Sequence, residues 1–433
     1  MHMDSFSFTV AAPARVNLLG EHTDYNGLPV LPMAIERHIT IQGKVISEVS
    51  IMASAIDYSG ETVAFTPSSA IPPHPQGHWA NYVKAGVQGV MELVSASGNL
   101  RGCEMEIRGD IPPNAGLSSS SALVVASALA FLTANQAVFD RIELAERMAW
   151  AEHYVGTRGG GMDQAASLLG RKGHVLKMDF FPLRVTPAPL PDEVTVVICH
   201  SGVEAKKSGE ALRAYNLRAV ECRLGVMLLR RQLRQMNQPS EFQRLGDLLN
   251  PPWSWTYEEL LHFIETHLSD AYTYAELQHL LHPADMLQDL LQDYGFADEA
   301  SAQDLSFACG KRFRHICTDG WRVEQSLEAL EAGDAQRFAE LINEGHASAR
   351  DDFEISCPEL ERLVQTAQQN GALASRLTGA GFGGCTVHLV RTEEAGAFVE
   401  RMKAQSHHPA ALKTSPFILV TAPADGAEIQ INS

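Results

Sequence analysis

The chain has 433 residues, 45% of them hydrophobic and 20% charged, and it carries a formal net charge of −18. That acidity excludes a nucleic-acid or anionic-membrane surface, which needs a basic patch. It leaves phosphate binding open, because backbone dipoles hold phosphate on an acidic protein. Seven cysteines without paired spacing read as reduced thiols, and Cys199, Cys222, Cys309, Cys317 and Cys357 show no zinc spacing.

The N-terminus has no basic segment leading into an apolar run. The most apolar helix, Ala122–Leu132, has about half the length that spans a bilayer. These features predict a cytoplasmic protein of two domains, with no membrane or nucleic-acid partner. Short β-rich runs come first, at Phe8–Val10, Arg15–Leu19, His38–Val45 and Val49–Ala53. Between them Gly20 turns the chain into a polar cluster, Glu21, His22 and Asp24. Three hydrogen-bonding side chains within four residues suit a small polyhydroxylated ligand, whose every hydroxyl needs a placed partner. A plain Asx-turn is the other reading of the same residues.

Residues 79–95 and 119–135 read as helices, with a strand Cys103–Ile107 between them. The loop Ile111-Pro-Pro-Asn-Ala-Gly-Leu-Ser-Ser-Ser-Ser-Ala122 runs straight into the second of these helices. That helix is apolar all round and so must be buried. Gly116 relieves the turn, and the serine hydroxyls and free N–H groups at such a start can bind phosphate oxygens or magnesium. Self-capping by serine is the alternative. No P-loop or protein-kinase signature occurs.

A helix over 141–155 follows, with Ile142, Leu144, Ala145, Met148, Ala149 and Val155 on one apolar face and Glu152 in its middle. A carboxylate there is costly unless it meets a cation or strong donors; a buried ion pair with an arginine and a bound metal are the two readings. After Gly159-Gly160-Gly161 comes Asp163, where three glycines permit close backbone approach to a ligand. One carboxylate for metal and one for an acceptor hydroxyl is the division that phosphoryl transfer requires.

Strands are expected near His174–Met178 and Val194–His200, then mostly helix over 206–350, with 236–300 as a polar helical insertion. Ser356-Cys-Pro-Glu359 has capping-box form at the start of a helix from Pro358. The glycine loop 375–385 carries Gly379, Gly381 and Gly384, but a β-rich run follows it, so it is no dinucleotide fingerprint. A strand Thr386–Val390, a helix near 393–405 and a last strand Pro416–Thr421 complete an α+β pattern.

Taken together, these segments resemble the galactokinase family, within the kinase superfamily that includes homoserine, mevalonate and phosphomevalonate kinases. Pro13–Tyr25 resembles its sugar signature, Pro112-x-x-x-Gly116-Leu-Ser-Ser-Ser its phosphate loop, and Gly160-x-Met-Asp-Gln164 and the loop at 379–384 its other motifs. His78–Lys84, Tyr215–Arg218 and Arg350–Leu360 add to the likeness, which runs from Arg15 to about residue 390.

The resemblance implies an ATP- and magnesium-dependent sugar 1-kinase that makes α-galactose 1-phosphate. The fold it implies has an N-terminal α+β domain, residues 1–200, and a ferredoxin-like C-terminal domain, residues 201–433, with the site in the cleft between them. Asp163 would face the anomeric hydroxyl, and Arg15 would stabilise the transferring phosphoryl group. Glu21, His22, Asp24, Gly160 and Tyr215 would hold the sugar. Trp79 would lie near adenine, and Gly116, Leu117, Ser118, Ser119, Ser120, Ser121, Gly379 and Gly381 near the phosphates. Ser120 and Glu152 would hold magnesium, and a monomer is expected. The same machinery would serve an N-acetylgalactosamine or uronic-acid 1-kinase, and the triple glycine and Tyr215-Asn-Leu-Arg are similar to those of fungal galactokinases and N-acetylgalactosamine kinases. A non-catalytic sugar and ATP sensor is the rival from another class.

Overall fold

Alternating apolar residues bury one row of the first strand, β1 (Ser7–Asn17), through Phe8, Val10 and Ala12. From Ala12 onward every residue of the strand is buried, and its register against the next strand shifts between Pro13 and Ala14. Such a bulge re-aims the residues beyond it, here Arg15. The computed structural model describes residues 7–96, 98, 100–156, 159–203, 210–281, 285–296, 305–405 and 417–432. The sequence readings at residues 206–209, 282–284, 297–300 and Pro416 lie outside them.

Along the chain follow β2 (Pro32–Ile46), β3 (Ile51–Ala55), β4 (Thr62–Phe65) and β5 (Gly102–Gly109). Then come β6 (His174–Asp179), β7 (Arg184–Pro189) and β8 (Val194–His200). After the two-residue strands β9 (Tyr272–Thr273) and β10 (Ser306–Phe307) stand β11 (Ala374–Leu377), β12 (Cys385–Arg391), β13 (Ile418–Thr421) and β14 (Glu428–Asn432). A six-stranded sheet has the order β14-β1-β2-β5-β3-β4, antiparallel except between β3 and β5. A four-stranded antiparallel sheet has the order β11-β12-β8-β13.

Two sheets with helices packed on them make a two-part α+β fold. A border at residue 200 does not follow the strand pairing, however. β8 belongs to the second sheet, and β14 closes the edge of the first. Pairing partners this remote leave no local trace in sequence.

The helices of the first half are α1 (Ala80–Gly89), α2 (Met91–Ala96), α3 (Ser119–Ala134), α4 (Arg141–Ala151) and α5 (Met162–Leu169). Helix α3 is buried on every side from Ser121 to Leu132, as its composition demands. The expected helix over 79–95 breaks into α1 and α2 at Val90. The helix over 141–155 ends at Ala151 and tightens into a 3₁₀ turn, Glu152–Val155, while Ile142 is left exposed at 42%. Phe8–Val10 and Arg15–Leu19 proved to be parts of one strand ending at Asn17.

In the second half α6 (Glu210–Gln235) packs against the long helix Cys309–Glu331. The 236–300 insertion supplies α7 (Tyr257–His267), α8 (Tyr274–Leu280) and α9 (Asp285–Asp293). Its Leu248, Leu260, Phe263 and Ile264 share one core with Phe313. Thr256 and Thr273 start α7 and α8 with capping boxes to Glu259 and Glu276. The capping box read at Ser356 does not form. Cys357 is the N-cap without a side-chain bond, Pro358 opens the helix, and the Ser356 hydroxyl donates to Glu361 instead. Among the described residues no helix is long and apolar enough to cross a membrane.

The seat of α3 depends on close packing with α1 at Gly86. A Cβ there would lie 2.4 Å from the carbonyl oxygen of Val124. Backbone cannot give way cheaply, so Gly86→Ala should cost about 1–3 kcal/mol, read as a lower thermal midpoint. An unchanged midpoint would show that the two helices separate freely.

Candidate active site

Both halves contribute to one cavity of about 790 Å³. Its walls come from the turn after β1, the serine loop before α3, the start of α5, α6 and the glycine loop before β12. The two loops touch: Gly379 has φ +83°, and a Cβ on it would sit 2.9 Å from the carbonyl oxygen of Gly116. Gly381, at φ +78°, is as tight, because a Cβ would lie 2.4 Å from the Ile355 oxygen. Only glycine permits either conformation at that distance.

In the serine loop Asn114, Gly116 and Ser118 all have positive φ, at 54°, 78° and 60°. This curl delivers the chain to the N-terminus of α3, whose first N–H groups have no intrahelical partners. Ser118 occupies the N-cap but makes no cap bond. Its hydroxyl donates instead to Asp163 Oδ2 at 2.5 Å. A helix start with uncommitted N–H groups in a cavity wall is an anion site.

Asp163 lies in the first turn of α5, and its two oxygens have different partners. Oδ2 accepts from Ser118, while Oδ1 accepts from Arg15 Nε at 2.7 Å and lies 2.6 Å from its second terminal nitrogen. The remaining Arg15 nitrogen donates to the Gly116 carbonyl at 2.8 Å. Arg15 therefore ties β1, the serine loop and α5 together around one carboxylate. Charge-assisted bonds of this kind fix direction as well as position.

Glu21, His22 and Asp24 line the same cavity and are all buried. His22 takes a left-handed φ of 64°, and its ring lies 5.2 Å from that of Tyr215 and 4.7 Å from that of Phe353. Its Nδ1 is 2.9 Å from the Tyr25 hydroxyl and its Nε2 3.3 Å from the Ala380 carbonyl. Burial holds its pKa down, to about 3, so the ring is neutral. Burial pushes Glu21 up to about 7, against the pull of Arg376 and with reinforcement from Asp319. It pushes Asp24 up to about 6, opposed by the Tyr25 N–H and reinforced by Asp163. Asp24 Oδ2 accepts the Gly160 N–H at 3.0 Å, and a Cβ on Gly160 would lie 2.5 Å from the Asp24 carboxyl carbon.

The residues singled out in sequence therefore converge, with two corrections. Gly160 is not a wall residue but the backbone donor that holds Asp24. Ser121 turns inward: helical rotation carries it away from the cavity, which Ser118, Ser119 and Ser120 line. Ser121 is fully buried, and its hydroxyl donates to Glu152 Oε1 at 2.5 Å. Glu152 lines the cavity from the end of α4. Trp79 lines it as well, with its indole N–H donating to Glu61 at 2.9 Å.

Sequence reasoning missed Gln164, Tyr82, Phe382, Asp293 and Tyr294 as wall residues. Gln164 and Phe382 stand inside the recognised motifs. Asp293 and Tyr294 end α9 in the insertion and have no local signal, and the Tyr294 carbonyl is held at 3.1 Å by Asn216.

Comparisons with known proteins identify the family. Residues 81–171 match the family model for the GHMP kinases N terminal domain, and residues 326–408 that for the GHMP kinases C terminal domain. The chain is thus a small-molecule kinase of the GHMP class. Residues 2–45 match the galactokinase galactose-binding signature. A galactokinase of Dictyostelium discoideum is 32% identical over 97% of this chain and 89% of its own. One from Roseiflexus sp. (strain RS-1) is 35% identical over 96% of this chain and 91% of its own. The structure superimposes with TM-score 0.73 on Lactococcus lactis galactokinase complexed with galactose, at 26% identity, covering 98% of this chain and 95% of that one. The chain belongs to the galactokinase family.

The raised Asp24 pKa has a consequence for stability. A carboxyl group raised in the folded state leaves stability intact below its unfolded pKa and weakens it as pH rises through the folded value. Asp24→Asn should therefore gain on the parent protein between about pH 4 and pH 6, then hold a constant lead on the order of 2–3 kcal/mol. Melting curves across that range decide it; a pH-independent difference would mean that Asp24 is not held protonated by burial.

Proposed function

We propose that this chain transfers the γ-phosphoryl group of ATP to the anomeric hydroxyl of galactose, giving α-D-galactose 1-phosphate. One observation carries the reading. Asp163, gripped by Arg15 and Ser118, stands in the same cavity as both the buried Glu21–Asp24 cluster and the serine loop. A hydroxyl acceptor and a phosphate seat lie on either side of a carboxylate of fixed direction. This is the arrangement that in-line transfer needs.

In this reading Asp163 orients the anomeric O–H toward the phosphoryl group and receives its proton late, since a loose transition state needs little base assistance. Arg15 fixes Asp163 and places positive charge beside the developing charge, and the first N–H groups of α3 face the phosphates. Glu21, Asp24 and Tyr215 line the sugar end, while His22 braces it. The contact between the two glycine loops screens the reacting atoms from water. Trp79 offers an indole face to the base, its N–H being committed to Glu61.

Ser120 and Glu152 both line the cavity. Such oxygen donors suit Mg²⁺, which takes one or two protein ligands and completes its shell with water and substrate phosphates. Bound there, Mg²⁺ would neutralise phosphate charge; Ser121 would hold Glu152 in place for it.

Asp163→Asn should lower kcat by roughly 10²–10⁴-fold and leave the melting midpoint nearly unchanged, because asparagine still accepts from Arg15. Across galactose, N-acetylgalactosamine, galacturonate and glucose, kcat/KM measured by ADP release should favour galactose. Preference for either of the middle two would replace the substrate but keep the reaction, and equal use of glucose would overturn the site assignment.

Glu152→Gln should raise the magnesium concentration needed for half-maximal rate and lower kcat, with galactose KM unchanged. A normal magnesium profile together with a loss of several kcal/mol in stability would make Glu152 a structural residue.

A further inference from the structure

Glu21 lines the cavity, and the two oxygens of its carboxylate are used unequally. Oε2 is bonded by Arg376, whereas Oε1, although buried, has no hydrogen-bond partner. Arg376 itself is wholly enclosed, and every side of its guanidinium is used. It donates to Glu21, to the Leu18 carbonyl at 3.0 Å and to the Leu377 carbonyl at 3.3 Å. Asp319, also wholly enclosed, has one oxygen 3.7 Å from Arg376, and that oxygen accepts the Gly20 N–H at 2.9 Å. Its other oxygen is 3.4 Å from Arg322. Space for this cluster is reserved by Gly345, where a Cβ would lie 2.8 Å from Asp319 and 2.9 Å from Arg376. The backbone of Glu21 is held as well, by His315, whose Nε2 is 3.2 Å from its carbonyl oxygen.

Arg376, Asp319 and His315 come from the second half of the chain, and Glu21 from the first. A buried ion pair is weak support for stability, since apolar replacements are often at least as stable. What this one does is fix geometry: it consumes one oxygen of Glu21, a residue of the cavity wall, and leaves its twin without a partner. An unpaired buried acceptor is costly until a donor arrives.

We propose that Arg376 and Asp319 are positioning residues for sugar recognition, which act through Glu21 to make its Oε1 a fixed acceptor for one particular galactose hydroxyl. This rests on the reading of Glu21 as a sugar-binding residue. Neither residue touches the sugar. Both should therefore change how the enzyme discriminates among sugars while leaving the nucleotide end alone.

The test measures kcat/KM for galactose and for its 2-, 3-, 4- and 6-deoxy forms in the parent protein and in Glu21→Gln, Arg376→Lys and Asp319→Asn. Glu21→Gln should erase the penalty for removing one hydroxyl and spare the others. Arg376→Lys keeps the charge but not the fork of donors. It should reduce the penalty at that same position by about tenfold or more, with ATP KM within about twofold. Asp319→Asn should act at the same position to a smaller degree, and it decides the question should Arg376→Lys fail to fold. Equal losses for all five sugars in the folded variants, or a shift in ATP KM instead, would overturn the positioning role. If Glu21→Gln flattens no position, the sugar reading of Glu21 fails and the proposal falls with it.

Discussion

The contact on which the site depends is the ion pair between Arg15 and Asp163. It joins residues that lie 148 positions apart, and its third partner, the Gly116 carbonyl, fixes the serine loop against both. A guanidinium offers donors in one plane, so three segments bound to it lose their freedom to slide independently. The bulge that re-aims β1 before Arg15, the left-handed turns of the serine loop and the glycine N-cap of α5 all make sense as ways of meeting at that plane. The local backbone strain of Ser118 is compensated by its bond to Asp163.

Much of this was legible from residue types. An all-apolar helix behind a glycine-serine loop had to be buried with its start in a wall, and α3 is. A carboxylate on an apolar face had to meet a partner, and Glu152 does, although the helix stops one residue before it. Where sequence failed, the missing quantity was spatial. The choice between Ser120 and Ser121 is a matter of helical phase, since a single step of about 100° separates the cavity from the core. The buried ion pair between Glu21 and Arg376 was not anticipated. Nothing local pairs residues 355 positions apart. The buried arginine in Ala374–Leu377, a strand buried throughout, was the available signal, because an enclosed guanidinium must have a carboxylate near it.

The insertion shows the same limit from another side. Its helices are readable from Thr-x-x-Glu caps and apolar spacing, yet its role in the wall of the cavity is not. Residues 293 and 294 reach the site only because the insertion shares a core with α6 and the helix Cys309–Glu331. The part of the cavity wall that the insertion supplies can thus vary without altering the serine loop. That loop is built from backbone conformation, which tolerates little change. The wall at residues 293 and 294 is reached through side-chain packing between separate elements, which tolerates more.

The pairing of β1 with β14 sets Ser7 opposite Asn432. During synthesis the edge of β1 therefore waits for more than four hundred further residues before its partner emerges. At ribosomal rates of about 5–20 residues per second that interval is roughly 20–85 s. An apolar row beside an open edge is a template for the wrong neighbour. The first sheet begins before the second and is completed after it, so its open edge is the longer-lived one in the nascent chain.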